Sequence, residues 1–475
     1  MATDSTIIIG GGLAGVTSFY ELSARDRPCL LLDSESAVAQ GASFANGGGL
    51  HPSLPDPWNN PGIGRHLFTS LFRPDAAMKL HISQVPNLLG WGASFIRHSR
   101  RAAYEAITRA NFELAEYSTR QTQALQQFLN LDYDSAAPGT LKLLRSTRDR
   151  DEALRLADML ADKGLAYEEL NRAEMLACEP SLRDAPDLIG ALRFAGDGIG
   201  DARRFCEGLA AAAIARGGEM RLNSKVTHLL VENGKVCGVR LGDEEIRGIV
   251  VLAAGVSAAR LARPLGLNLP IRPAKGYSLT LDASEQADSP KHLLVDPTPH
   301  IGITPLGSRL RILGMAEFSG FDPQIDPQRL VQLRRFFTDL LPQLAEKLDW
   351  EKAEGWTGLR PMSADGRPFI GQSGIDGLWL NCGHGHLGWT KAVGSARILA
   401  DAMTGREAEI NAAPFSLMRL RAVCARADAG LEWPYDDFAT ANQCAISGPA
   451  LGLHPFGVGR FAKFYRRHGS CRFAR

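Results

Sequence analysis

The chain has 475 residues, 45% hydrophobic and 22% charged, which is the composition of a soluble globular protein large enough for two domains. Its formal net charge of +1 gives no reason to expect nucleic acid or an acidic partner. No apolar run approaches the roughly 20 residues that span a bilayer, and we see no signal peptide. The eight cysteines lack paired or metal-binding spacing, which predicts reduced thiols, no metal site and a cytoplasmic protein.

The chain begins with a predicted β-α-β unit. Residues 7–9 are isoleucines and indicate a short buried strand, residues 13–24 indicate a helix, and residues 28–33 indicate a second strand. The turn between the first strand and the helix is rich in glycine. This order predicts a Rossmann-like domain in an α/β fold that is α+β overall.

The glycines of this turn match the fingerprint of dinucleotide-binding proteins. Gly10 permits a tight turn, Gly12 lets the backbone approach a pyrophosphate, and Gly15 lets helix and strand pack closely. The helix N-terminus favours phosphate charge. Asp33 ends the second strand, where it can accept a hydrogen bond from a ribose hydroxyl and disfavours the 2′-phosphate of NADP. The fingerprint alone leaves NAD and FAD open.

The middle of the chain is predicted to change from helices to strands. Residues 41–64 are too rich in glycine, asparagine and proline for a regular element. The small residues of 41–49 would admit a phosphate or a ring, or would form a flexible surface loop. Residues 75–161 are predicted to be largely helical. Further strands are predicted at 225–230, at 236–241 (after a turn at Gly234), at 249–255, repeatedly within 271–315, and at 378–381. Helices are predicted at 327–344 and 391–403.

A second glycine-rich turn, at residues 383–390, follows the predicted strand at 378–381. Two such turns, so far apart in sequence, indicate a cofactor long enough to be held at both ends, which favours FAD over NAD. Between them lies Arg360, which precedes Pro361 and is therefore expected in extended backbone with its side chain held out. A guanidinium binds a carboxylate through two parallel hydrogen bonds. We interpret Arg360 as a substrate-carboxylate ligand, with a structural salt bridge as the alternative.

The tail at 423–475 has no clear amphipathic pattern, and from residue 438 it carries Arg and Lys with no Asp or Glu. A basic arm that contacts a membrane surface or a partner is one interpretation. We favour a disordered extension or an accident of the reading frame at the end of the gene.

Longer motifs carry a family resemblance over about residues 5–415. Gly-Leu-Arg-Pro-Met at 358–362, Asp-Gly-x-Pro at 365–368 and Leu-Trp-Leu-Asn-x-Gly-His-Gly-x-Leu-Gly-Trp-Thr at 378–390 are joined by matches at 43–48, 139–141, 275–280 and 314–317. Together they resemble the small-subunit type of bacterial D-amino-acid dehydrogenase, in the FAD-dependent D-amino-acid oxidase and glycine oxidase superfamily. The resemblance implies a Rossmann-like FAD-binding domain with an inserted antiparallel-sheet substrate domain.

The resemblance also implies roles for individual residues. Arg360 would bind the substrate carboxylate. Tyr277 would be a second carboxylate or wall contact, or else a core tyrosine. His51, His300 (at a strand position) and His386 depart from the family pattern and would tune substrate choice or amine protonation, or would be structural. FAD would be held by Gly10, Gly12, Leu13, Ala14, Gly15, Asp33, Ser34, Ser43, Asn46, Gly47, Val226, Gly255, Gly383, Gly385, Leu387, Gly388 and Thr390.

The implied reaction is oxidative deamination of a D-amino acid to a 2-oxo acid and ammonia, by hydride transfer to flavin N5. Electrons would pass to a quinone or another acceptor, with any membrane contact peripheral at the inner face. The thiol of Cys382, next to the second glycine turn, suggests a covalent bond to a flavin, but we expect FAD to be bound non-covalently. Three alternatives stay open: a glycine, sarcosine, D-proline or hydroxyproline oxidase or dehydrogenase, a flavin subunit of a larger complex, and an NAD protein without flavin.

We expect two discontinuous domains. The FAD-binding domain would comprise 1–85, 195–270 and 361–422. The substrate-binding domain would comprise 86–194 and 271–360.

Overall fold

A computed structural model describes residues 5–64 and 76–420, so the predicted tail at 423–475 lies outside the described residues. The strands are numbered along the chain as β1 (Thr6–Ile9), β2 (Cys29–Leu32), β3 (Gly49–Leu50), β4 (Met78–Leu80), β5 (Thr140–Leu144), β6 (Glu168–Asn171), β7 (Gly190–Phe194), β8 (Gly198–Ile199), β9 (Glu219–Arg221), β10 (His228–Glu232), β11 (Lys235–Leu241), β12 (Glu244–Arg247), β13 (Ile249–Leu252), β14 (Ile271–Asp282), β15 (Leu293–Asp296), β16 (Ile301–Leu306), β17 (Arg309–Phe318), β18 (Glu354–Ser363), β19 (Phe369–Gln372) and β20 (Leu378–Cys382).

The helices connect these strands and cover their faces. They are α1 (Leu13–Ser23), α2 (Val85–Arg97), α3 (Arg101–Leu129), α4 (Thr147–Ala161), α5 (Arg172–Cys178), α6 (Ala202–Ala215), α7 (Ala258–Ala262), α8 (Pro327–Leu340), α9 (Pro342–Lys347) and α10 (Gly388–Met403). In the part of the chain that the structure describes, no helix is both long and apolar enough to cross a membrane.

A six-stranded sheet in the order β19-β20-β13-β1-β2-β9 carries both glycine turns. All neighbours run parallel except the edge strand β19. Continuous apolar strands such as β1 are typical of a sheet buried on both faces. Ile8 packs with helices α1, α6 and α10, whereas Ile7 and Ile9 pack toward the three-stranded antiparallel sheet β10-β11-β12. Both faces of β1 are therefore core.

The second large sheet is mostly antiparallel, with the order β18-β14-β17-β16-β15-β5-β7-β6 and β4 paired to β17. Strand β14 pairs with β18 over ten consecutive positions, from Ile271 opposite Ser363 to Thr280 opposite Glu354. Helices α8 and α9 cover one face, where Leu333, Phe337 and Leu344 join a buried apolar cluster. This sheet fixes the position of Arg360 on β18.

The long helix α3 lies against α10, where the Gly394 N–H donates to Ser118 Oγ over 3.0 Å. A methyl group at Gly394 would lie 2.8 Å from Ser118 Cβ, so the glycine permits the close approach. The predicted substrate-binding domain includes α3. In the structure α3 packs on α10, the helix after the second glycine turn, which the prediction assigns to the FAD-binding domain. Residues 1–421 form one compact unit, and the two-domain boundaries stay a prediction.

Most predicted elements are present, with three corrections. The region predicted as largely helical contains strands β4 and β5, because β5 pairs with the distant strands β7 and β15. The predicted helix at 327–344 breaks at Leu341, since Pro342 starts a new helix. The strand predicted at 225–230 begins at His228. The predicted hairpin turn is confirmed, with Asn233 and Gly234 both at positive φ between β10 and β11.

Candidate active site

One continuous cavity of about 2590 Å³ joins the two glycine turns and is walled by both large sheets. It is lined by most of the predicted site residues. These are Gly10, Gly12, Leu13, Ala14, Asp33, Ser34, Ser43, Asn46, Gly47, His51, Val226, Gly255, Tyr277, His300, Arg360, Gly383, Gly385, His386, Gly388 and Thr390. Gly15 and Leu387 do not line it and are buried behind it.

The first glycine turn has the tight geometry that its sequence predicts. Gly10 has a φ of +111°, and a methyl group there would lie 2.7 Å from the Ala253 carbonyl oxygen. A methyl group at Gly15 would lie 1.7 Å from the Gly10 carbonyl oxygen, so Gly15 serves helix–strand packing. At Gly12 the nearest atom to such a methyl is Ser43 Oγ at 3.4 Å. The α1 N-terminus, with no acidic side chain in its first turn, therefore opens onto the cavity.

Asp33 and Ser43 bound the same end of the cavity. One carboxylate oxygen of Asp33 accepts a hydrogen bond from the Gly11 N–H, and the other accepts from the Glu35 N–H over 2.7 Å. Ser43 Oγ accepts from the Leu13 N–H over 3.2 Å, at the start of α1. The polar groups of this end thus gather around backbone amides, which suits a ribose and a pyrophosphate.

The second glycine turn lies at the same edge of the sheet, because β13 pairs in parallel with both β1 and β20. Gly383 and Gly385 have φ values of +77° and +64°, and α10 starts at Gly388. Thr390 donates to the Gly49 carbonyl over 3.3 Å and accepts from the His51 N–H over 3.4 Å. The helix thereby holds the loop that follows β3.

Three buried side-chain nitrogens in the cavity wall have no hydrogen-bond partner among the described residues: His51 Nδ1, His384 Nε2 and Trp389 Nε1. Buried polar atoms in native proteins are normally paired, so these nitrogens indicate a bound group that carries both donors and acceptors. An isoalloxazine ring has both. The residues present therefore fit FAD: those around Asp33 could hold its adenosine end, and those of the second glycine turn could hold its ring.

Arg360 extends from β18 into the cavity. Its Nη1 donates to the Met315 carbonyl oxygen over 2.9 Å, and within the described ranges no carboxylate pairs with it. Gly276 makes room, since a methyl group there would lie 2.0 Å from Nη1. Met315 itself has a φ of +65°, a strained value of the kind that clusters at functional sites. Desolvation lowers the pKa of Arg360 to about 10, so the guanidinium stays charged at neutral pH.

Tyr277 is 1% exposed, and its hydroxyl donates to Glu317 Oε2 over 2.9 Å. Glu317 in turn accepts from Arg329 Nε over 2.5 Å. Burial and the neighbouring carboxylate raise the pKa of the Tyr277 hydroxyl. The ring lines the cavity while the hydroxyl is engaged inside the core, which favours the wall contact over the carboxylate ligand.

Three histidines of the site, His51, His384 and His386, are neutral imidazoles at neutral pH. Desolvation lowers the pKa of His51, of His384 (to about 3) and of His386 (well below its usual value). His386 stacks on Trp58, with ring centroids 5.0 Å apart and planes at 19°. The predicted strand position of His300 is wrong: it lies in the turn before β16 with a φ of +54°, because the chain reverses there.

Sequence reasoning missed Trp58 and His384. Trp58 lies in the irregular segment 41–64, where an isolated tryptophan gives no signal of its partners. His384 lies within the second glycine-rich turn, where its position alone does not distinguish it from its neighbours. Cys382 also lines the cavity, and burial raises the pKa of its thiol to about 12, so it is protonated at neutral pH. That protonation is consistent with the predicted non-covalent FAD.

Comparisons with known proteins identify the family of the chain. A family model described as FAD dependent oxidoreductase matches residues 5–402. A D-amino acid dehydrogenase of Cereibacter sphaeroides is 39% identical over 427 residues, covering 89% of this chain and 96% of that protein. One of Methylobacterium sp. is 37% identical over 418 residues, covering 87% and 99%.

Solved structures share the fold. Glycine oxidase from Geobacillus kaustophilus aligns with a TM-score of 0.70 at 22% identity, covering 87% of this chain and 98% of that one. L-proline dehydrogenase from P. horikoshii aligns with a TM-score of 0.71 at 18% identity, covering 88% and 98%. At these identities the likeness concerns the fold alone. The predicted family and cofactor are confirmed: the chain belongs to the FAD-dependent oxidoreductase family, with the Rossmann-like domain of its fold and FAD as cofactor.

Proposed function

We propose that the protein oxidises D-amino acids to 2-oxo acids and ammonia and passes the electrons to an acceptor such as a quinone. The observation that carries this proposal is Arg360, a charged guanidinium that faces the cavity and has no carboxylate partner among the described residues. Desolvation of a cation in the cavity wall costs free energy, and binding of an anionic ligand would offset that cost. The relatives named D-amino acid dehydrogenase support the substrate class and its configuration.

The residues of the cavity would act by binding and orientation. Arg360 binds the substrate carboxylate with two parallel hydrogen bonds and so fixes the α-carbon. The neutral imidazoles of His51 and His386 add no positive charge beside the substrate amine and can accept its hydrogen bonds. FAD, when bound, supplies the acceptor for the α-hydrogen and its electron pair. Asp33, the first glycine turn and the second glycine turn would hold it.

The amine gives up the α-hydrogen with its electrons only when it carries no extra proton. Beside the substrate, Arg360 stays protonated and His51 and His386 are neutral at neutral pH. We therefore expect the rate to rise with pH until the substrate amine has lost its proton. Water adds to the imino product afterwards, which releases ammonia and the 2-oxo acid.

The test is an absorbance spectrum of the purified protein before and after anaerobic addition of D-alanine, D-proline, their L-forms, glycine and sarcosine, each added separately. Bleaching of the flavin bands by D-forms only is the expected result. Bleaching by glycine or sarcosine but not by D-alanine would favour the alternative amine or imino-acid oxidase. In Arg360→Ala we expect yellow flavin and nearly abolished turnover, and normal turnover in this variant would contradict the carboxylate assignment.

The acceptor and the location complete the proposal. The word dehydrogenase in the relatives' names supports a carrier rather than oxygen, so turnover should require an added quinone analogue and proceed without air. We propose a cytoplasmic protein with peripheral membrane contact, tested by whether salt washing releases it from membranes. Activity of the isolated chain would argue against a flavin subunit that works only within a larger complex.

A further inference from the structure

We propose that Trp58 positions the guanidinium of Arg360 and thereby sets the affinity of the site for carboxylates. Trp58 would be a positioning residue, acting through Arg360 rather than on the reacting atoms. The inference rests on the proposed role of Arg360 and adds a residue that neither the motifs nor the family resemblance singled out.

The surroundings of Arg360 leave its guanidinium weakly held. One backbone acceptor, the Met315 carbonyl, binds Nη1, and the described residues offer no ion pair to the other nitrogens. Gly276 places no side chain against it. A long side chain with a single hydrogen bond keeps rotational freedom, and its ordering on ligand binding costs affinity. Something else must hold the guanidinium plane if the site is to be ready for a carboxylate.

The ring of Trp58 provides that second contact. Its centroid lies 5.5 Å from Arg360 Cζ, within the range at which the electron-rich face of an indole attracts a cation. The guanidinium is therefore held by the Met315 carbonyl and by this ring, and Arg360 lines the cavity.

Trp58 is itself held in place. The His386 ring stacks on it at 5.0 Å, and the pKa of His386 is lowered well below its usual value, so the stacked imidazole is neutral. A neutral partner matters, because a second cation on the same ring would oppose Arg360. Trp58 also packs against the buried cluster that contains Ile63, Trp91 and Met362. The indole of Trp58 thus contacts both the imidazole of His386 and the guanidinium of Arg360.

A purely structural role for Trp58 predicts something different. If the ring only filled the apolar cluster, its loss would lower thermal stability and FAD content without a selective effect on carboxylates. The test must therefore measure carboxylate binding directly. Propionate is a suitable probe, since it has the carboxylate and size of D-alanine but no amine to oxidise, and its binding is read from the perturbed flavin spectrum. Propionamide is the neutral counterpart.

In Trp58→Leu we expect the Kd of propionate to rise about 3- to 30-fold, the range that corresponds to a lost cation–π contact. The KM for D-alanine should rise by a similar factor, with kcat changed less than about twofold and propionamide binding unchanged. Trp350→Leu is the matched control: its ring also faces an arginine, Arg334, at 4.8 Å, but it does not line the cavity. That variant should bind propionate like the wild type.

Two failures are distinguishable. If Arg360→Ala loses propionate binding while Trp58→Leu keeps wild-type affinity, the role of Trp58 is overturned and the proposed function stands. If Arg360→Ala also keeps propionate affinity, the carboxylate assignment itself fails. If Trp58→Leu does not retain FAD, the test uses Trp58→Phe instead. Its ring attracts a cation less strongly, so the propionate Kd should rise at least about twofold, and an unchanged Kd overturns the proposal.

Discussion

Lys391 is a buried amine in the first turn of α10, and its replacement by methionine should stabilise the protein in a pH-dependent way. The side chain is 1% exposed, and its Nζ has a long contact of 3.5 Å with Asn111 Oδ1. The nearby carboxylate of Asp365 is already paired with Arg367 and Arg419, at 3.0 and 2.7 Å. Within the ranges 5–64 and 76–420, Lys391 therefore has no close counter-ion of its own.

Desolvation lowers the pKa of Lys391 from 10.5 to about 7, partly offset by Asp365. Between these values the unfolded chain binds more protons than the folded one, so stability increases as the pH rises through this window. At about 1.4 kcal/mol per pH unit the full effect is about 5 kcal/mol. Integration from about pH 7 to about pH 9.5 gives the wild type a gain of about 3 kcal/mol. Methionine does not titrate and lacks this gain.

The assay is urea unfolding of wild type and Lys391→Met at both pH values with saturating FAD. The variant's stability advantage at about pH 7 should shrink by about 3 kcal/mol at about pH 9.5. Lys235→Met is the control, since Lys235 is 66% exposed and its replacement should leave the pH dependence unchanged. An equal difference between wild type and Lys391→Met at both pH values would refute the reasoning, because the amine would then titrate alike in both states.

Gly276→Ala should fold but displace the guanidinium of Arg360, whose Nη1 would lie 2.0 Å from the added methyl group. We expect a raised KM for the D-amino acid and an unchanged melting temperature. An unchanged KM would contradict this expectation. Gly12→Ala should lose FAD affinity but keep its fold, whereas Gly15→Ala should lose both, because the methyl group at position 15 would lie 1.7 Å from a backbone oxygen. Flavin absorbance measures the FAD content and circular dichroism melts measure the stability. Equal melting temperatures of the two variants would disprove this expectation. Burial raises the pKa of Asp197 from 3.8 to about 7, so the folded protein loses up to about 4 kcal/mol as the pH rises through that window. Asp197→Asn should be more stable than wild type above pH 7, with the difference vanishing near pH 4, and parallel pH profiles would contradict it.

The parts of the fold that depend on local pattern were predictable. The β-α-β unit at 6–32 and its glycines follow from a continuous apolar strand, a helix rich in small and apolar residues and a turn that only glycine tolerates. The hairpin at Asn233 and Gly234 has the same local origin. Strand β5 was missed because its pairing partners are not its sequence neighbours, so local periodicity could not reveal it.

The candidate site was predictable in its residues more than in its contacts. Arg360 was recognised from its place before a proline and from its motif. The residues around its guanidinium are Met315, Gly276 and Trp58, which come from three other segments of the chain. Sequence spacing does not reveal that residues from distant segments are in contact. The same limit applies to Tyr277, whose hydroxyl is engaged by Glu317 forty positions along the chain.

The strand order of the six-stranded sheet has a consequence for biosynthesis. Strand β1 is made first, yet its neighbour β13 ends at Leu252 and the next strand, β20, ends only at Cys382. A nascent chain lacks the second glycine turn until residues 383–390 have left the ribosome, so the holoenzyme cannot assemble before that point of synthesis. Long-range parallel pairing of this kind is slow and leaves apolar strands uncovered meanwhile, which makes the growing chain a natural client for chaperones.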